Sequence, residues 1–378
     1  MRVLIPTQVN DIHAKAVHRA LATRGHEAVL WYGCDLPSRQ TLSLELDGRG
    51  SVEIELLGHA LATRGPFDVI WLRRPNPAQI VEELHPGDRM FAEREWQRML
   101  SGLWRSGWSE AFWINPYGAA QRANDKAEQL AVAARVGLRV PKTLFSSDPR
   151  RIREFIRSNP GQTIYKPFLT AQWRLDEGDT AYLFTSLVEE DDLPDDELLR
   201  QCPGIFQPRI DKSHELRVTF MGHHAFAVRL DSQAVDVARV DWRIGTRALA
   251  ISDDSLPPAV EARCRALMAQ LGLVFACFDF IVTPQGEHVF LELNEMGQFL
   301  WLEEMDERMC LLDAFCEFLI QGRPDFEWRR DAARLRFADF RDPSDPSDEV
   351  DELDRGHVEP KYPNVVDDRT APAANPIH

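Results

Sequence analysis

The sequence predicts an α/β domain, a longer α+β region and an acidic tail, on three observations. First, the apolar runs "RVLIP" and "EAVLWYG" flank "DIHAKAVHRALATRG", whose apolar residues have helical spacing, which indicates a strand, a helix and a strand in succession. Second, "QTIYKPF", "GIFQPRI", "ELRVTFMG" and "HAFAVRL" alternate apolar and polar residues, as antiparallel strands do. Third, the stretch from Arg341 to His378 is rich in Pro and Asp and poor in large apolar residues, which favours disorder.

We therefore expect residues 1–118 to form the α/β domain, residues 119–325 the α+β region, and residues 326–378 an acidic, largely disordered tail. In the first part, "TLSLELDG" and "SVEIELLG" alternate around "GRG" as a hairpin does, and "FDVIWLRRP" is a strand that ends in two arginines. The hexapeptide "ALATRG" occurs at 20–25 and again at 60–65. We interpret this as reuse of a helix C-terminus rather than as a structural repeat.

The overall charge excludes some classes of partner. Sixty acidic residues against 44 basic ones give a formal net charge of −16, so we expect neither nucleic acid nor a membrane surface as partner. The sequence has no signal-peptide pattern and no run of about 18 apolar residues, which predicts a cytoplasmic protein. The six cysteines include no CxxC pair, so neither a zinc site nor a disulfide framework is predicted.

One predicted hairpin carries three oxygen ligands. "LVFACFDFIVTPQGEHVFLELN" is two apolar runs around a turn that we centre on Gln285 and Gly286, so that Asp279 lies opposite Glu292 and Asn294 shares their face. Opposed carboxylates repel each other unless a cation lies between them, and oxygen-only ligands suit Mg²⁺. The alternative is a different register in which Glu292 and Asn294 lie on a solvated face.

Several cations point to phosphate chemistry without a common glycine-rich loop, because neither G-x-x-x-x-G-K-[ST] nor a strand-linked G-x-G-x-x-G is present. Lys126 lies at the start of a helix, and Lys166 follows the apolar "TIY", an unfavourable place for an ammonium group that meets no anion. For each lysine taken singly, a surface lysine whose ammonium group reaches solvent is the favoured explanation. Arg217, Arg229 and Arg243 fall in strand-like sequence, where arginines are commonly just salt-bridged, but together they would suit a transferring phosphoryl group.

Eight segments, in order along most of the chain, resemble the ATP-grasp ligases and, within them, the microviridin-type maturases of ribosomal peptides that make graspetides. They are "PTQVNDIHAKAVHRAL", "VIWLRRPNP", "NDKAEQLAVAARVGLRVPKTLFSSDP", "IYKPF", "IFQPRIDKSHELRV", "DWR", "FDFI" and "LELNEMGQFLWLE". The resemblance implies an ATP-grasp fold: an N-terminal pre-ATP-grasp domain, then two α+β subdomains that clasp ATP between antiparallel sheets.

The resemblance also implies roles for individual residues. Arg217 and Arg243 match catalytic arginines near the phosphates and the acyl intermediate, and Lys126 and Lys166 match phosphate-binding lysines. The other implied nucleotide-binding residues are Pro208, Arg209 and Ile210 at the adenine hinge, Lys212, and Glu215 near the ribose. The implied magnesium ligands are Asp279, Glu292 and Asn294.

The chain departs from the family where those ligands end. The family usually has N-P-x-G-Q-W, whereas this chain has "NEMGQF", with Glu295 in place of Pro and Phe299 in place of Trp. The three implied magnesium ligands, Asp279, Glu292 and Asn294, are all retained. We expect Gly297, Gln298, Phe299 and Trp301 to take part in peptide selection.

The predicted reaction is the ATP-dependent activation of Asp or Glu side chains of a ribosomal precursor peptide as acyl phosphates. A Ser or Thr hydroxyl or a Lys amine then forms an ester or amide crosslink within the peptide. The predicted cofactors are ATP and Mg²⁺, and the predicted partner is a precursor with a leader and a core rich in Thr, Ser or Lys and in Asp or Glu; homodimerisation is left open. Arg73 and Arg74 either face the acidic peptide or form a surface pair.

Two other functions are compatible with parts of this pattern. An ATP-grasp ligase that joins an amino acid to a small molecule or to a protein terminus would use the same nucleotide site. A non-catalytic ATP-binding regulatory protein would be expected to lack a metal ligand or a phosphate lysine, and this sequence lacks neither.

Overall fold

The computed structural model describes residues 1–49, 52–58, 61–64, 66–169, 172–174, 180–340, 352–354, 356–358 and 365–367. Its strands are β1 (Arg2–Thr7), β2 (Glu27–Tyr32), β3 (Gln40–Leu46), β4 (Val52–Gly58), β5 (Leu61–Arg64), β6 (Val69–Trp71), β7 (Phe112–Ile114), β8 (Leu144–Ser146), β9 (Thr163–Lys166), β10 (Gln172–Arg174), β11 (Thr180–Tyr182), β12 (Ser186–Leu187), β13 (Gly204–Pro208), β14 (His214–Met221), β15 (His224–Leu230), β16 (Ile251–Asp254), β17 (Phe275–Val282), β18 (His288–Asn294) and β19 (Val365–Asp367). Its α-helices are α1 (Ile12–Thr23), α2 (Pro86–Ser106), α3 (Tyr117–Asn124), α4 (Lys126–Arg135), α5 (Pro149–Arg157), α6 (Asp196–Leu199), α7 (Pro258–Leu271), α8 (Leu300–Met305), α9 (Leu311–Gln321) and α10 (Phe337–Phe340).

The N-terminal part contains a four-stranded parallel sheet in the order β2-β1-β6-β7. Helix α1 connects β1 to β2, as predicted. It begins after Asp11, whose Oδ1 accepts hydrogen bonds from the backbone amides of His13 and Ala14, and it is followed by Gly25 at a φ of 77°. Because the strands are parallel, the segments that follow β1, β6 and β7 meet at one edge of the sheet, and this edge contributes to the site described below.

A second, antiparallel sheet in the order β3-β4-β5 joins the first part. The predicted β3–β4 hairpin is confirmed, with Gln40 opposite Gly58. The second copy of "ALATRG" is not a helix C-terminus, because Leu61–Arg64 is the strand β5 and pairs with β4. Unpaired backbone groups along the edge of β4 outweigh the helical tendency of this short sequence.

Two antiparallel sheets follow, with strand orders β12-β9-β13-β8 and β16-β15-β14-β17-β18. The predicted strands "QTIYKPF", "GIFQPRI", "ELRVTFMG" and "HAFAVRL" correspond to β9, β13, β14 and β15. Side chains of both sheets line a common cavity, so the sheets face each other across a cleft. Arg243, predicted in strand-like sequence, instead lies in a 3₁₀ segment, Trp242–Ala248, whose N-terminus is capped by Asp241.

The largest hydrophobic core runs from Val3 to Phe337 and includes side chains of the parallel sheet, α1, the five-stranded sheet and α9. The predicted boundary after residue 118 falls inside α3. The division of the chain at 118 and 325 remains a prediction. In the described part of the chain, no helix is both long and apolar enough to cross a membrane.

The predicted tail is ordered at its start. Phe326, Leu335 and Phe337 are buried in the largest core, and the indole of Trp328 donates to Asp313 at 2.9 Å. Residues 326–340 therefore belong to the folded body, because their apolar side chains cover α1, α8 and α9. The disorder predicted for 341–351, 355, 359–364 and 368–378 concerns residues outside the described ones.

A short part of the tail docks on the parallel sheet. The carboxylate of Asp354, fully buried, lies 2.6 Å from Lys15 on α1 and accepts from the hydroxyl of Tyr32 at 3.3 Å. His357 packs on the ring of Tyr32 and contacts the carboxylate of Asp35 at 2.6 Å. Residues 352–354 and 356–358 thus cover the C-terminal end of β2.

Candidate active site at the junction of two cavities

The β17–β18 hairpin brings the three predicted metal ligands together. Asp279 lies opposite Glu292, as predicted, and Cys277 lies opposite Asn294, which places Asn294 two residues further along the same strand. The turn runs from Thr283 to Gly286 and is centred one residue earlier than predicted. A β-bulge at Leu291 compensates for this offset, since without it Leu291 would face Asp279.

Asp279 is held on one side only. Its Oδ2 accepts from Arg217 Nη1 at 2.7 Å and from Asn294 Nδ2 at 3.2 Å, whereas its buried Oδ1 has no hydrogen-bond partner among the described residues. Burial raises the pKa of Asp279, Arg217 opposes this, and the charge of Glu292 adds to the increase. A cation at Oδ1 would remove the cost of this buried oxygen.

Glu292 is surrounded by cations. Burial acts to raise its pKa, but the charge and hydrogen bond of Lys126 at 2.6 Å, together with Lys166 and Arg243, lower the pKa to about 2. Lys126 is the first residue of α4, as predicted, and Lys166 is the last residue of β9. Burial lowers the pKa of Lys166, although the charge of Glu292 acts against it.

The first cavity, of about 510 Å³, lies between the two antiparallel sheets. All the predicted nucleotide-binding and metal-binding residues lie in the described part of the chain and line it, except Arg209. The backbone amide of Arg209 donates to the carbonyl of Gln162 at 2.6 Å, which ties the end of β13 to the segment before β9. One wall is apolar and is formed by Ile164, Leu183, Val240, Ile281 and Leu291, in addition to the predicted Pro208 and Ile210.

An acceptor group is available beside the apolar wall. Glu215 is buried and hydrogen-bonded to Lys212, and its Oε1 also accepts from Ser232 at 3.2 Å. Its Oε2 is buried and has no hydrogen-bond partner among the described residues. Burial raises the pKa of this carboxyl, while Lys212 acts to lower it. Oε2 can accept a hydrogen bond from a hydroxyl or an amine of a bound molecule.

The second cavity, of about 540 Å³, lies on the other side of the same carboxylates. Asp279, Glu292, Asn294 and Arg243 line both cavities. The residues that line only the second one are Arg73, Arg74, Arg217, Thr246, Glu295, Gly297, Gln298 and Trp301. The rings of Trp242 and Trp301 stack with centroids 5.1 Å apart and form an aromatic wall.

The floor of the second cavity, residues 295–298, is fixed by side chains of other elements. Asn115, after β7, donates to the carbonyl of Glu295 at 2.8 Å, and Arg73, after β6, donates to those of Met296 and Gly297 at 2.5 and 3.2 Å. Arg217 donates to the carbonyl of Gln298 at 3.1 Å. Four successive carbonyl groups are thus held, three of them by the edge of the parallel sheet.

A helix side chain holds the strand between two predicted ligands. Gln129 on α4 is fully buried; its Nε2 donates to the carbonyl of Leu293 at 2.9 Å and its Oε1 accepts from the amide of Leu293 at 2.9 Å. Leu293 separates Glu292 from Asn294. Gln129 and Asn115 were missed by the sequence analysis, although "INP" after an apolar strand was a visible signal for Asn115.

Phe299 and Arg229, both singled out from the sequence, line neither cavity. Phe299 does not line the second cavity, because its ring is buried in the core against Phe275 and Phe315. Arg229 lines neither cavity and forms an ion pair with Asp231 at 2.7 Å, which agrees with the plain salt-bridge explanation.

The arginine pair and Glu295 differ from a simple surface arrangement. Arg73 is 1% exposed and ion-paired to Asp11, so the two arginines do not form a surface pair. Glu295 is buried and accepts from Asn124 at 2.7 Å.

The donor set fits Mg²⁺. Among the described residues, no group of three or more His, Cys, Asp or Glu side chains is arranged to hold a metal. Two carboxylates and one amide are a smaller set, which suits a magnesium ion whose shell is completed by phosphate oxygens and water. The unpartnered Oδ1 of Asp279 supports this assignment.

No protein-family model and no curated protein matches the chain, but solved structures do. The macrocyclase MdnB from Microcystis aeruginosa MRC is 30% identical, over 84% of this chain and 99% of that chain, with a TM-score of 0.70. This chain belongs to the ATP-grasp macrocyclase family. This chain is thus an ATP-grasp ligase with the ATP-grasp fold, as its sequence indicates.

Two further solved structures are similar to this chain. The macrocyclase MdnC from the same organism, bound with the precursor peptide MdnA, is 26% identical over 85% of this chain and 100% of that chain, with a TM-score of 0.74. A RiPP-associated ATP-grasp ligase from Chryseobacterium gregarium, in complex with ADP and a leader and core peptide, is 25% identical. It covers 88% of this chain and 99% of its own, with a TM-score of 0.75.

Proposed function

We propose that this macrocyclase uses ATP to activate Asp or Glu side chains of a ribosomal precursor peptide, and crosslinks them to Ser or Thr hydroxyls or Lys amines of the same peptide. The observation that carries the proposal is the junction of two cavities at Asp279, Glu292, Asn294 and Arg243. A phosphate group in one cavity and a carboxylate in the other would meet at these residues.

The first cavity suits ATP. The apolar wall between the two sheets accommodates the adenine, with Pro208, Arg209 and Ile210 at the hinge. Lys212 and Glu215 are assigned to the nucleoside, since Glu215 Oε2 is an unused buried acceptor. Lys126 and Lys166, next to Glu292, bind the phosphates as mobile point charges.

Asp279, Glu292 and Asn294 would hold Mg²⁺, which supplies neutralisation of the phosphate charge when it is bound. Lys126, which lies 2.6 Å from Glu292, would then contact a phosphate oxygen in place of this carboxylate. Arg217 is fixed by Asp279 and by the carbonyl of Gln298, and Arg243 is fixed by Asp241. Both guanidinium groups are therefore oriented before the substrate arrives, which is the arrangement that stabilises developing charge.

The reaction balances without a nucleophile from the enzyme. A carboxylate oxygen of the peptide attacks the terminal phosphorus of ATP and expels ADP, which leaves an acyl phosphate. A hydroxyl or amine of the peptide attacks the acyl carbon, loses its proton and expels phosphate, so that an ester or amide forms. One water is lost from the peptide for each bond. The buried cysteines are not needed, and burial raises the pKa of Cys277 and disfavours its thiolate.

A ligase for small molecules or protein termini is the less favoured function. The two peptide-bound relatives named above match this chain over nearly their whole length, and the second cavity continues past the reacting centre along a floor of peptide backbone. A purely regulatory ATP-binding role is also less favoured, because Lys126, Lys166 and the three ligands are all present and converge.

The test is a crosslinking reaction. The macrocyclase is incubated with ATP, Mg²⁺ and the peptide encoded by a neighbouring short reading frame rich in Thr or Ser and in Asp or Glu. We expect a mass loss of ~18 Da per crosslink, one water being the stoichiometry of condensation. Asp279→Asn, which keeps the shape of the side chain, is expected to leave the peptide mass unchanged. ATP turnover by the unmodified enzyme without any change in peptide mass would contradict the proposal.

A further inference from the structure

The arginines that line the second cavity differ in how their charge is compensated. Arg217 has Asp279 at 2.7 Å, Arg243 has Asp241 at 2.5 Å, and Arg73 has Asp11 at 3.1 Å. Each of these guanidinium groups has its own carboxylate, and Arg73 and Arg217 also donate to backbone carbonyls. Their positions are therefore set by the folded enzyme.

Arg74 lacks such a partner. Its nearest carboxylate oxygen is Asp11 Oδ2 at 4.0 Å, and the same oxygen lies 3.1 Å from Arg73. The other oxygen of Asp11 caps α1. Within the described part of the chain, the guanidinium of Arg74 donates no hydrogen bond, and its side chain is 30% exposed. It therefore brings to the cavity a guanidinium with unused donors, and it shares the charge of Asp11 with Arg73.

The backbone that carries Arg74 is held in place. The amides of Arg73 and Arg74 donate to the carbonyl of Pro6 at 3.1 and 3.0 Å, which ties the segment after β6 to β1. A guanidinium on a fixed backbone loses less entropy on binding than one on a mobile loop. A planar guanidinium also matches the two oxygens of a carboxylate.

Arg74 differs in position from the residues that both cavities share. Asp279, Glu292, Asn294 and Arg243 line both cavities, whereas Arg74 lines only the second one, together with Thr246 and Trp301. We therefore assign the carboxylate at Arg74 to a side chain other than the one that would meet the terminal phosphate. A peptide with several acidic side chains can occupy both places at once.

We propose that Arg74 binds a second, non-reacting carboxylate of the peptide and thereby selects which acidic side chain is presented for activation. This inference rests on the proposed function. The subsite formed by Arg74 takes an Asp or Glu side chain and rejects an amide at the same position, because an amide leaves the guanidinium charge uncompensated.

The experiment compares variants at Arg74 with a matched loss of charge elsewhere. Arg74→Ala and Arg74→Lys are measured beside Arg329→Ala, since Arg329 is an exposed arginine paired with Asp331 that lines neither cavity. The probe is the precursor peptide and a series in which each core Asp or Glu is changed to its amide. The measured quantities are kcat and KM for peptide, KM for ATP and the crosslink pattern.

We expect Arg74→Ala to raise the KM for the peptide roughly tenfold or more, the scale of one hydrogen bond to a charged group. The KM for ATP stays unchanged, Arg74→Lys recovers only part of the loss, and Arg329→Ala behaves as the unmodified enzyme. In a double-mutant cycle, one acid-to-amide peptide should be no worse a substrate for Arg74→Ala than the parent peptide.

Two results would overturn the inference while the proposed function stands. One is an effect of Arg74→Ala that is equal for every peptide of the series, and the other is a change in kcat alone. If the unmodified enzyme does not crosslink the parent peptide, the proposed function fails, and the role of Arg74 fails with it.

Discussion

The two cavities share Arg243 and one set of carboxylates, but their other cations differ. The first contains Lys126, Lys166 and Lys212, and the second contains Arg73, Arg74 and Arg217. Ammonium groups on flexible chains can follow a phosphate whose charge and bonding change during transfer, whereas planar guanidinium groups bind carboxylates with a defined geometry. The difference supports the proposal that the first cavity receives ATP and the second receives the peptide.

The walls of the cavities differ in the same sense. The first lies between two sheets and has an apolar wall suited to a flat ring. The second has a backbone floor, residues 295–298, held by Asn115, Arg73 and Arg217. The first cavity therefore depends on the two antiparallel sheets, and the second also depends on the edge of the N-terminal parallel sheet.

Glu292 lies in both cavities, so its change should produce the largest effect. Glu292→Gln keeps the size of the side chain but removes the charge that holds Lys126 and would help hold Mg²⁺, and we expect turnover to fall on the order of 10³-fold or more. ADP release measures this, and thermal unfolding checks that the fold is intact. Glu287→Gln, an exposed position on the same hairpin, is the control. A Glu292→Gln protein that is globally unfolded would instead make this residue structural.

A substitution of Lys166 should affect binding in the first cavity but not in the second, because Lys166 lines only the first. Lys166→Met retains the buried alkyl chain and removes the charge, so we expect the KM for ATP to rise roughly 100-fold while the KM for peptide stays near its original value. Initial rates with each substrate varied in turn measure both constants, and Lys142→Met, at a position that lines neither cavity, is the control. An equal rise in both KM values would mean that the two cavities are not independent.

We expect the smallest of the three effects from a substitution of Arg73, and we expect it in the stability of the fold and in the KM for peptide. Lysine has no planar fork, so Arg73→Lys cannot keep the contacts with Asp11, Met296 and Gly297 together, and we expect a loss of about 2 kcal/mol in the free energy of unfolding. Urea denaturation measures the loss, and the KM for peptide should rise with no change for ATP. The same substitution at the part-exposed neighbour Arg74 should change stability by no more than about 0.5 kcal/mol. Equal destabilisation by both substitutions would refute the different roles of the two arginines.

The pairing of Asp279 with Glu292 at the centre of the site could be predicted from the sequence, but the backbone geometry that produces this pairing could not. Asp279 and Glu292 are opposite each other as predicted, because a bulge at Leu291 offsets a turn that begins earlier than expected. A bulge adds a residue without changing the alternation that a reader of the sequence can see, so it is not predictable from pattern alone. The residues predicted to bind the nucleotide, except Arg209, line the first cavity, and each of them is close in sequence to a strand or helix end.

The contacts that hold the floor of the second cavity were not predicted, because they connect distant parts of the chain. Arg73 meets Met296 and Asn115 meets Glu295, and nothing local in either segment indicates the partner. Phe299 was misassigned because an aromatic residue beside a site looks the same in sequence whether it faces a ligand or the core. "ALATRG" forms a helix end in one copy and contributes a strand in the other, which shows that six residues do not determine their own conformation.

The docking of residues 352–354 and 356–358 matters for any shortened or tagged version of this protein. The Pro-rich and Asp-rich composition after residue 340 suggests truncation there. Such a truncation would remove the buried ion pair of Asp354 with Lys15 and the contact of His357 with Asp35. The N-terminal sheet would then lose a piece of its surface that is encoded more than 300 positions later in the chain. A shortened version that keeps this cover has to end after residue 358, and an affinity tag on the last residue leaves it in place.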